Sequence, residues 1–310
     1  MRTGYVPAVT TSALPSSVEI REVGPRDGLQ VEAPLSVDDR MRLVRAVAAA
    51  GFTSIEVGSF VSPKAVPAMV DSAAVVQASK ELGGFTVAGV VLNARGAVDA
   101  VAAGVDELTA GVSASEGYSQ SNTRMSIQDA LGHLEKICAT GRDAGKRIDV
   151  TISCCFGSPY EGEIAPAEVA KLVTTARELG ATTVGLADTT GMATPRGVAE
   201  LLAEVGTDGI GMHFHETRGT GLVNVYASLL AGVTRYDSSV GGLGGSPFAK
   251  GAAGNVATEG IVNLLDDLGV RSGIDLPTLL DAATLLRELV GHDLPSAVAV
   301  AGPRIPVAQA

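Results

Sequence analysis

The stretch ARELGATTVGLAD, residues 176–188, decides the fold, because a glycine in it joins an alanine- and leucine-rich helix to a β-branched strand. Glycine just past a helix end is typical of a left-handed helix cap. The same order returns in AAAGFTSIEV (48–57), VAAGVDELTA (101–110) and LLAGVTRYDSS (229–239). The repeat predicts a chain of alternating strands and helices.

This pattern extends over most of the chain. Strands are predicted at 18–23, 53–58, 85–91, 106–112, 147–154, 182–188, 209–215 and 235–240. Helices are predicted at 37–50, 66–82, 126–145, 166–179, 195–205, 219–232, 256–268 and 277–290. About eight such units in roughly 250 residues indicate a parallel sheet with helical crossovers. No GxGxxG follows the first strand, so we favour an α/β fold of the (β/α)₈ TIM-barrel type over an open doubly wound sheet.

The predicted domains follow from this barrel. Residues 1–17 are expected to form a disordered tail, 18–275 the catalytic barrel, and 276–310 a C-terminal helical extension that ends in a loose segment from 295.

Composition excludes several classes of partner. The chain has 310 residues, 4% aromatic, no tryptophan and a net charge of −11, which argues against a nucleic-acid surface. No apolar run approaches the roughly 20 residues that span a membrane. The three cysteines, an odd number with two adjacent, do not suggest a disulfide framework. We therefore expect a cytoplasmic enzyme without membrane or nucleic-acid partners.

Polar residues fall at the predicted strand ends, where the active sites of such barrels lie. They are Arg26, Asp27, Gln30, Glu56, Ser59, Cys154, Cys155, Asp188, Thr189, His213, His215 and Asn255.

His213 and His215 give the strongest local signal. Residues i and i+2 of a strand face the same side, so both imidazoles should point into the barrel mouth. A single strand histidine is more often a core residue, but two at this spacing favour a metal site. With the Asp27 carboxylate and the Asn255 amide they form a mixed nitrogen and oxygen set, suited to Mg²⁺ or Mn²⁺. Such a site would leave positions for a chelating 3-hydroxy acid.

Arg26, Glu56 and Asp188 each allow two interpretations. Arg26 could hold an enolate oxygen or form a surface ion pair with Asp27. Glu56 could carry a proton or pair with Arg26. Asp188 could be a buried structural contact or a hydrogen-bond anchor for a ligand.

The glycine-rich stretch GGLGGSPFAKGAAGN, residues 241–255, is either a linker or a lid. We favour the lid, because a linker does not explain Asn255 at its end. Gly244, Gly245 and Gly251 would let the backbone close over a substrate, as lids do.

Six motifs together resemble the 3-hydroxy-3-methylglutaryl-CoA lyase family of metal-dependent barrels. They are EVGPRDGLQ (22–30), SFVSPKAVPAM (59–69), SCCFGSPYEG (153–162), LADTTG (186–191), HFHET (213–217) and GLGGSPFAKGAAGN (242–255). The resemblance implies cleavage of the acyl-CoA to acetyl-CoA and acetoacetate, as in leucine degradation, by a homodimer.

The resemblance also implies roles for individual residues. A divalent metal would be held by Asp27, His213, His215 and Asn255. Arg26 would steady the thioester enolate, Glu56 matches the family's signature glutamate, and His213 would accept the proton. The residues implied to receive substrate and CoA are Gln30, Ser59, Lys64, Arg124, Asp188 and Thr189.

One departure bears on catalysis. Ser246 stands where the family carries a lid cysteine that delivers a proton to the leaving carbanion, and a hydroxyl is a far poorer acid than a thiol. Glu56, a water at the cation, Cys154 or Cys155 could supply the proton instead. Alternatively the substrate differs, as a citramalyl-CoA-like 3-hydroxyacyl-CoA or a free hydroxy or keto acid, or the barrel is catalytically silent. Arg218, where an aromatic residue is usual, could contact a different carboxylate.

Overall fold

The computed structural model describes residues 14–245 and 253–304. Within them, eight parallel strands pair in chain order and the last closes on the first. The strands are β1 (Glu19–Glu22), β2 (Ser54–Ser59), β3 (Thr86–Val91), β4 (Glu107–Ser113), β5 (Arg147–Ser153), β6 (Thr183–Ala187), β7 (Ile210–His213) and β8 (Arg235–Ser238). In the closing pair, Glu19 lies opposite Arg235 and Glu22 opposite Ser238. The predicted (β/α)₈ barrel is confirmed.

Helices follow the strands on the outside of the barrel. They are α1 (Val37–Ala49), α2 (Ser72–Leu82), α3 (Ala94–Ala103), α4 (Glu116–Thr123), α5 (Ile127–Asp143), α6 (Pro166–Leu179), α7 (Pro195–Val205), α8 (Gly221–Leu230), α9 (Thr258–Leu268), α10 (Leu276–Val290) and α11 (Ala297–Ala301).

Glycine ends several of these helices as the sequence predicts. Gly104 after α3 and Gly180 after α6 both adopt φ of 101° and donate their N–H groups to carbonyls of the preceding turn. An L side chain rarely adopts this φ, which explains why glycine stands at the junction between helix and strand.

The predicted helix 66–82 is too long at its start. Pro67–Met69 form a single 3₁₀ turn, and Asp71 has a left-handed φ of 60°, so the α-helix begins only at Ser72. The apolar run 65–70 resembles the start of a helix in sequence, because Ala68 and Met69 are buried although they lie in the turn that precedes the helix.

Ordered structure extends beyond the predicted domain boundaries at both ends. Ser17 forms a parallel bridge with Arg271, one residue before the predicted start of the barrel. At the other end, Ser296 accepts a hydrogen bond from the N–H of Ala299 and begins α11, within the segment expected to be loose. None of the helices in the described part of the chain combines the length and apolar composition needed to cross a membrane.

Candidate active site

A cavity of about 340 Å³ opens at the carboxyl ends of the strands. Arg26 after β1, Ser59 at the end of β2, Ser113 at the end of β4 and His213 at the end of β7 all line it. Its position is the one at which barrels of this type place their chemistry.

Asp27, His213 and His215 meet at one side of this cavity. One nitrogen or oxygen atom from each of the three lies within 4.8 Å of the others. The two histidine Nε2 atoms are 3.2 Å apart. His215 lies just past β7, in a bridge with Asn255. This bridge brings the far end of the glycine-rich stretch to the histidines.

Asn255 completes the cluster. Its Nδ2 donates to Asp27 Oδ2 at 2.7 Å and to the Leu243 carbonyl at 3.0 Å. Its Oδ1 is buried and accepts no hydrogen bond from any described residue. A buried amide oxygen without a donor is costly, and a cation at the cluster would satisfy it.

The ionisation of Asp27 and His215 suits a cation. Burial would raise the pKa of Asp27, but the Arg26 guanidinium, the histidines and the Asn255 amide together lower it. Burial and the neighbouring His213 lower the pKa of His215 to about 4, so this imidazole is neutral. A titratable side chain binds a metal in its deprotonated form, as a carboxylate or a neutral imidazole. Two nitrogens and two oxygens fit a divalent ion such as Mg²⁺ or Mn²⁺.

Arg26 is partly buried and forms a network of hydrogen bonds at the cavity wall, not a surface ion pair. Its Nε donates to Glu56 Oε2 and its Nη1 donates to Asp27 Oδ1 at 2.7 Å. Glu56 is 1% exposed, and its Oε1 lacks a hydrogen-bond partner within residues 14–245 and 253–304. Arg26 and Glu56 both line the cavity, so a guanidinium and a carboxylate face any ligand together.

The other predicted substrate residues divide into two groups. Gln30, Ser59 and Thr189 line the cavity. Lys64 and Arg124 are exposed, and the cavity lining from their segments comes instead from neighbours such as Ala65 and Met125.

Asp188 lies behind the cavity wall. Its Oδ1 accepts from the N–H groups of Met192 and Ala193 at 2.7 and 2.9 Å, which fixes the loop after β6. Burial raises the pKa of Asp188 to about 7. Oδ1 thus has a structural role, whereas the buried Oδ2 has no hydrogen-bond partner among the described residues, and the ligand-anchor interpretation stays a prediction.

Cys154 and Cys155 are free and fully buried. Burial raises the pKa of Cys154 to about 12 and raises that of Cys155 as well. Thiols this weakly acidic and this enclosed do not fit a proton donor. Ser246 and Gly251 lie outside the described residues, whereas Gly244 and Gly245 lie at the described edge of the glycine-rich stretch.

The Arg218 side chain binds backbone carbonyl groups. Its Nη1 donates to the carbonyls of Thr190 and Gly191 at 2.9 and 2.8 Å, and the residue does not line the cavity. The predicted contact with a substrate carboxylate is therefore not supported.

Sequence reasoning missed Asp237 and Arg21, which also line the cavity. Asp237 lies opposite His213 in the pairing of β7 with β8, and its Oδ2 is 3.4 Å from His213 Nδ1. A charged residue in the middle of a short barrel strand was the available signal.

A closed parallel barrel with a buried acid, base and guanidinium cluster at its carboxyl end defines a TIM-barrel enzyme. The model of the HMGL-like family matches residues 17–286. The chain belongs to this family, that of the HMG-CoA lyases.

Two of its relatives match over nearly their whole length. A Pseudomonas aeruginosa protein named 3-hydroxy-3-isohexenylglutaryl-CoA/hydroxy-methylglutaryl-CoA lyase is 42% identical, over 90% of this chain and 94% of that protein. The human mitochondrial hydroxymethylglutaryl-CoA lyase is 37% identical, over 95% and 93%.

Solved structures agree. The crystal structure of hydroxymethylglutaryl-CoA lyase from Pseudomonas aeruginosa has a TM-score of 0.89 and 41% identity, covering 93% of this chain and 98% of that chain. An HMG-CoA lyase from Acinetobacter baumannii, in complex with coenzyme A and 3-methylmalate, has a TM-score of 0.88 and 38% identity, over 94% and 98%.

Proposed function

We propose that the protein is a divalent-metal-dependent lyase that cleaves 3-hydroxy-3-methylglutaryl-CoA to acetyl-CoA and acetoacetate. The observation that carries the metal dependence is Asn255 Oδ1, which is buried and has no hydrogen-bond partner among the described residues, on a side chain whose Nδ2 donates to Asp27 of the histidine cluster. The substrate is supported by the names of the relatives that match over nearly the whole chain.

Asp27, His213, His215 and Asn255 would hold the cation. Bound there, Mg²⁺ or Mn²⁺ would act as a Lewis acid on the hydroxyl and carboxylate oxygens of the substrate.

Arg26 would stabilise the product enolate. When the C2–C3 bond breaks, its electron pair moves onto C2 and the thioester oxygen. The Arg26 guanidinium stays charged and is held in place by Glu56 and Asp27, so it is positioned before the charge develops.

Proton transfer is assigned to Glu56. His213, the acceptor that the resemblance implies, has Nε2 at the cluster and Nδ1 near Asp237, so both ring nitrogens have other partners. Glu56 lines the cavity, and its buried Oε1 has no hydrogen-bond partner among the described residues. It would take the proton of the C3 hydroxyl as the ketone forms and return it to C2 of the acetyl-CoA enolate, so no net proton is gained or lost.

The alternative substrates have less support. None of the named relatives described above is a citramalyl-CoA lyase or an aldolase for free acids. The homodimer, the cytoplasmic location and the choice between Mg²⁺ and Mn²⁺ stay predictions.

The test is direct. Purified protein is incubated with 3-hydroxy-3-methylglutaryl-CoA and Mg²⁺ or Mn²⁺, and acetyl-CoA and acetoacetate are measured by mass spectrometry, with a chelator-treated control. We expect both products with metal and neither after chelation. Cleavage of citramalyl-CoA alone would favour the alternative substrate, and no cleavage of any ester would favour a silent barrel.

A further inference from the structure

Asp237 connects the histidine cluster to a charged layer inside the barrel. Its Oδ2 lies 3.4 Å from His213 Nδ1, on the opposite side of the imidazole from Nε2. Arg21 of β1 binds the same carboxylate at both oxygens, with Nε–Oδ1 at 2.9 Å and Nη2–Oδ2 at 2.8 Å. Asp237 therefore contacts His213 and a guanidinium at once.

Arg21 itself is fixed from several strands. It is 3% exposed, and it also donates to Glu107 of β4 and Asp149 of β5, each at 3.0 Å. A guanidinium with three carboxylate partners cannot turn away without leaving buried charges unpaired. Because Arg21 donates to both oxygens of Asp237, that carboxylate is held in one orientation.

We propose that Asp237, held by Arg21, is the positioning residue that keeps the His213 imidazole protonated at Nδ1 and turns its Nε2 lone pair toward Asp27 and His215. The proposal rests on the proposed function, because it takes this cluster to be the metal site. Metal-binding histidines are commonly oriented by a carboxylate on the other ring nitrogen, which fixes both the tautomer and the ring angle.

Glu107 makes it possible to separate this positioning role of Asp237 from a purely structural one, because Glu107 binds the same guanidinium without touching His213. Glu107 accepts from Arg21 Nη1 and pairs with Arg147, whereas Asp237 is the partner of Arg21 that also contacts the imidazole. Glu107→Gln is therefore the matched control for Asp237→Ala: both remove a carboxylate from Arg21, and one also removes the partner of His213.

The first experiment measures Mn²⁺ affinity of the full chain by electron paramagnetic resonance. We expect Asp237→Ala to raise the Kd by about 10–100-fold, the usual cost of losing the carboxylate behind a ligating histidine. If the alanine variant does not fold, Asp237→Asn takes its place, because it keeps the shape and one acceptor oxygen. Its Kd should be raised by an amount at the lower end of that range. Glu107→Gln should leave the Kd unchanged. Equal losses in the two carboxylate variants would overturn the proposal.

The second experiment reads the tautomer directly. The chain has four histidines, so ¹⁵N-histidine NMR of the metal-free protein at alkaline pH, where the imidazoles are neutral, can follow His213. We expect the Nδ1–H form in the wild type and in Glu107→Gln, and a shift toward Nε2–H in Asp237→Ala. An unchanged tautomer would overturn the proposal. A wild type that binds no Mn²⁺ would instead overturn the cofactor of the proposed function, and the tautomer would still decide the role of Asp237.

Discussion

Glu22 offers a stability prediction whose size can be worked out from its contacts. The side chain lies on β1 with 0% exposure. Oε1 accepts from the N–H groups of Gly24 and Val240 at 2.7 and 2.8 Å, and Oε2 accepts from Thr258 Oγ1 at 2.8 Å. Burial raises the pKa of Glu22 from 4.5 to about 8, against these hydrogen bonds and with a further contribution from the charge of Glu259.

The sign follows from the protons bound in each state. Between pH 4.5 and about pH 8 the folded protein keeps a proton on Glu22 that the unfolded chain has lost. The free energy of unfolding therefore falls as the pH rises through this window, by up to about 1.4 kcal/mol per pH unit from this residue.

Glu22→Gln should remove that dependence and keep the geometry. Its amide oxygen can replace Oε1, and its NH₂ can donate to Thr258 Oγ1, which has a second partner in Ser238. Between about pH 6 and about pH 8, we expect the wild type to lose about 2 kcal/mol more than the variant, because the slope flattens as Glu22 ionises near pH 8.

The assay is urea unfolding of both proteins across this pH range, compared as differences so that other titrating groups cancel. Glu19→Gln is the control, because Glu19 lies on the same strand with a 45% exposed side chain. Its curve should run parallel to that of the wild type. If the Glu22→Gln curve also runs parallel, Glu22 is ionised in the folded protein and the reasoning fails.

Three further predictions test the site. Glu56→Gln should lower kcat by about 10²–10⁴-fold while Mn²⁺ still binds, measured by steady-state kinetics and metal titration; an unchanged kcat excludes Glu56 as the proton carrier. Asn255→Ala should weaken Mn²⁺ binding by about tenfold or more in calorimetry, because it removes a ligand oxygen and the hydrogen bond to Asp27. An unaltered Kd would remove Asn255 from the ligand set. Ser246→Cys should change kcat by less than about tenfold if Glu56 delivers the proton, and a larger gain would assign delivery to residue 246.

The barrel could be predicted because its evidence is local. Each helix end, glycine and β-branched strand is readable within about a dozen residues, and all eight strands lie within two residues of their predicted ends. The histidine pair is local in the same sense, since two residues of spacing put both rings on one side of a strand.

Contacts between distant strands could not be predicted in this way. Asp237 matters because the register of β7 and β8 sets it opposite His213. Arg21 reaches Asp149 across 128 residues of sequence. No motif marks these pairs, because the barrel's curvature and side-chain length decide which inward-facing charges meet. The predicted start of α2 was wrong for a related reason. Ala68 and Met69 are buried although they lie in a 3₁₀ turn before the helix, and their spacing imitates that of a helix.

The charged layer formed by Arg21, Glu107, Asp149 and Asp237 also shows what this barrel interior is built for. Interiors of this fold are usually filled by branched apolar side chains. Buried ion pairs add little net stability, because desolvation offsets their attraction, and well-packed apolar residues would serve stability as well or better. Their effect here is electrostatic and falls on His213. Burial alone would lower the pKa of His213, but the hydrogen bond and charge of Asp237, with the charge of Asp27, raise it. Carboxylates beneath and beside the imidazole thus favour positive charge at the point where the ligand atoms converge, and an apolar layer could not provide that field.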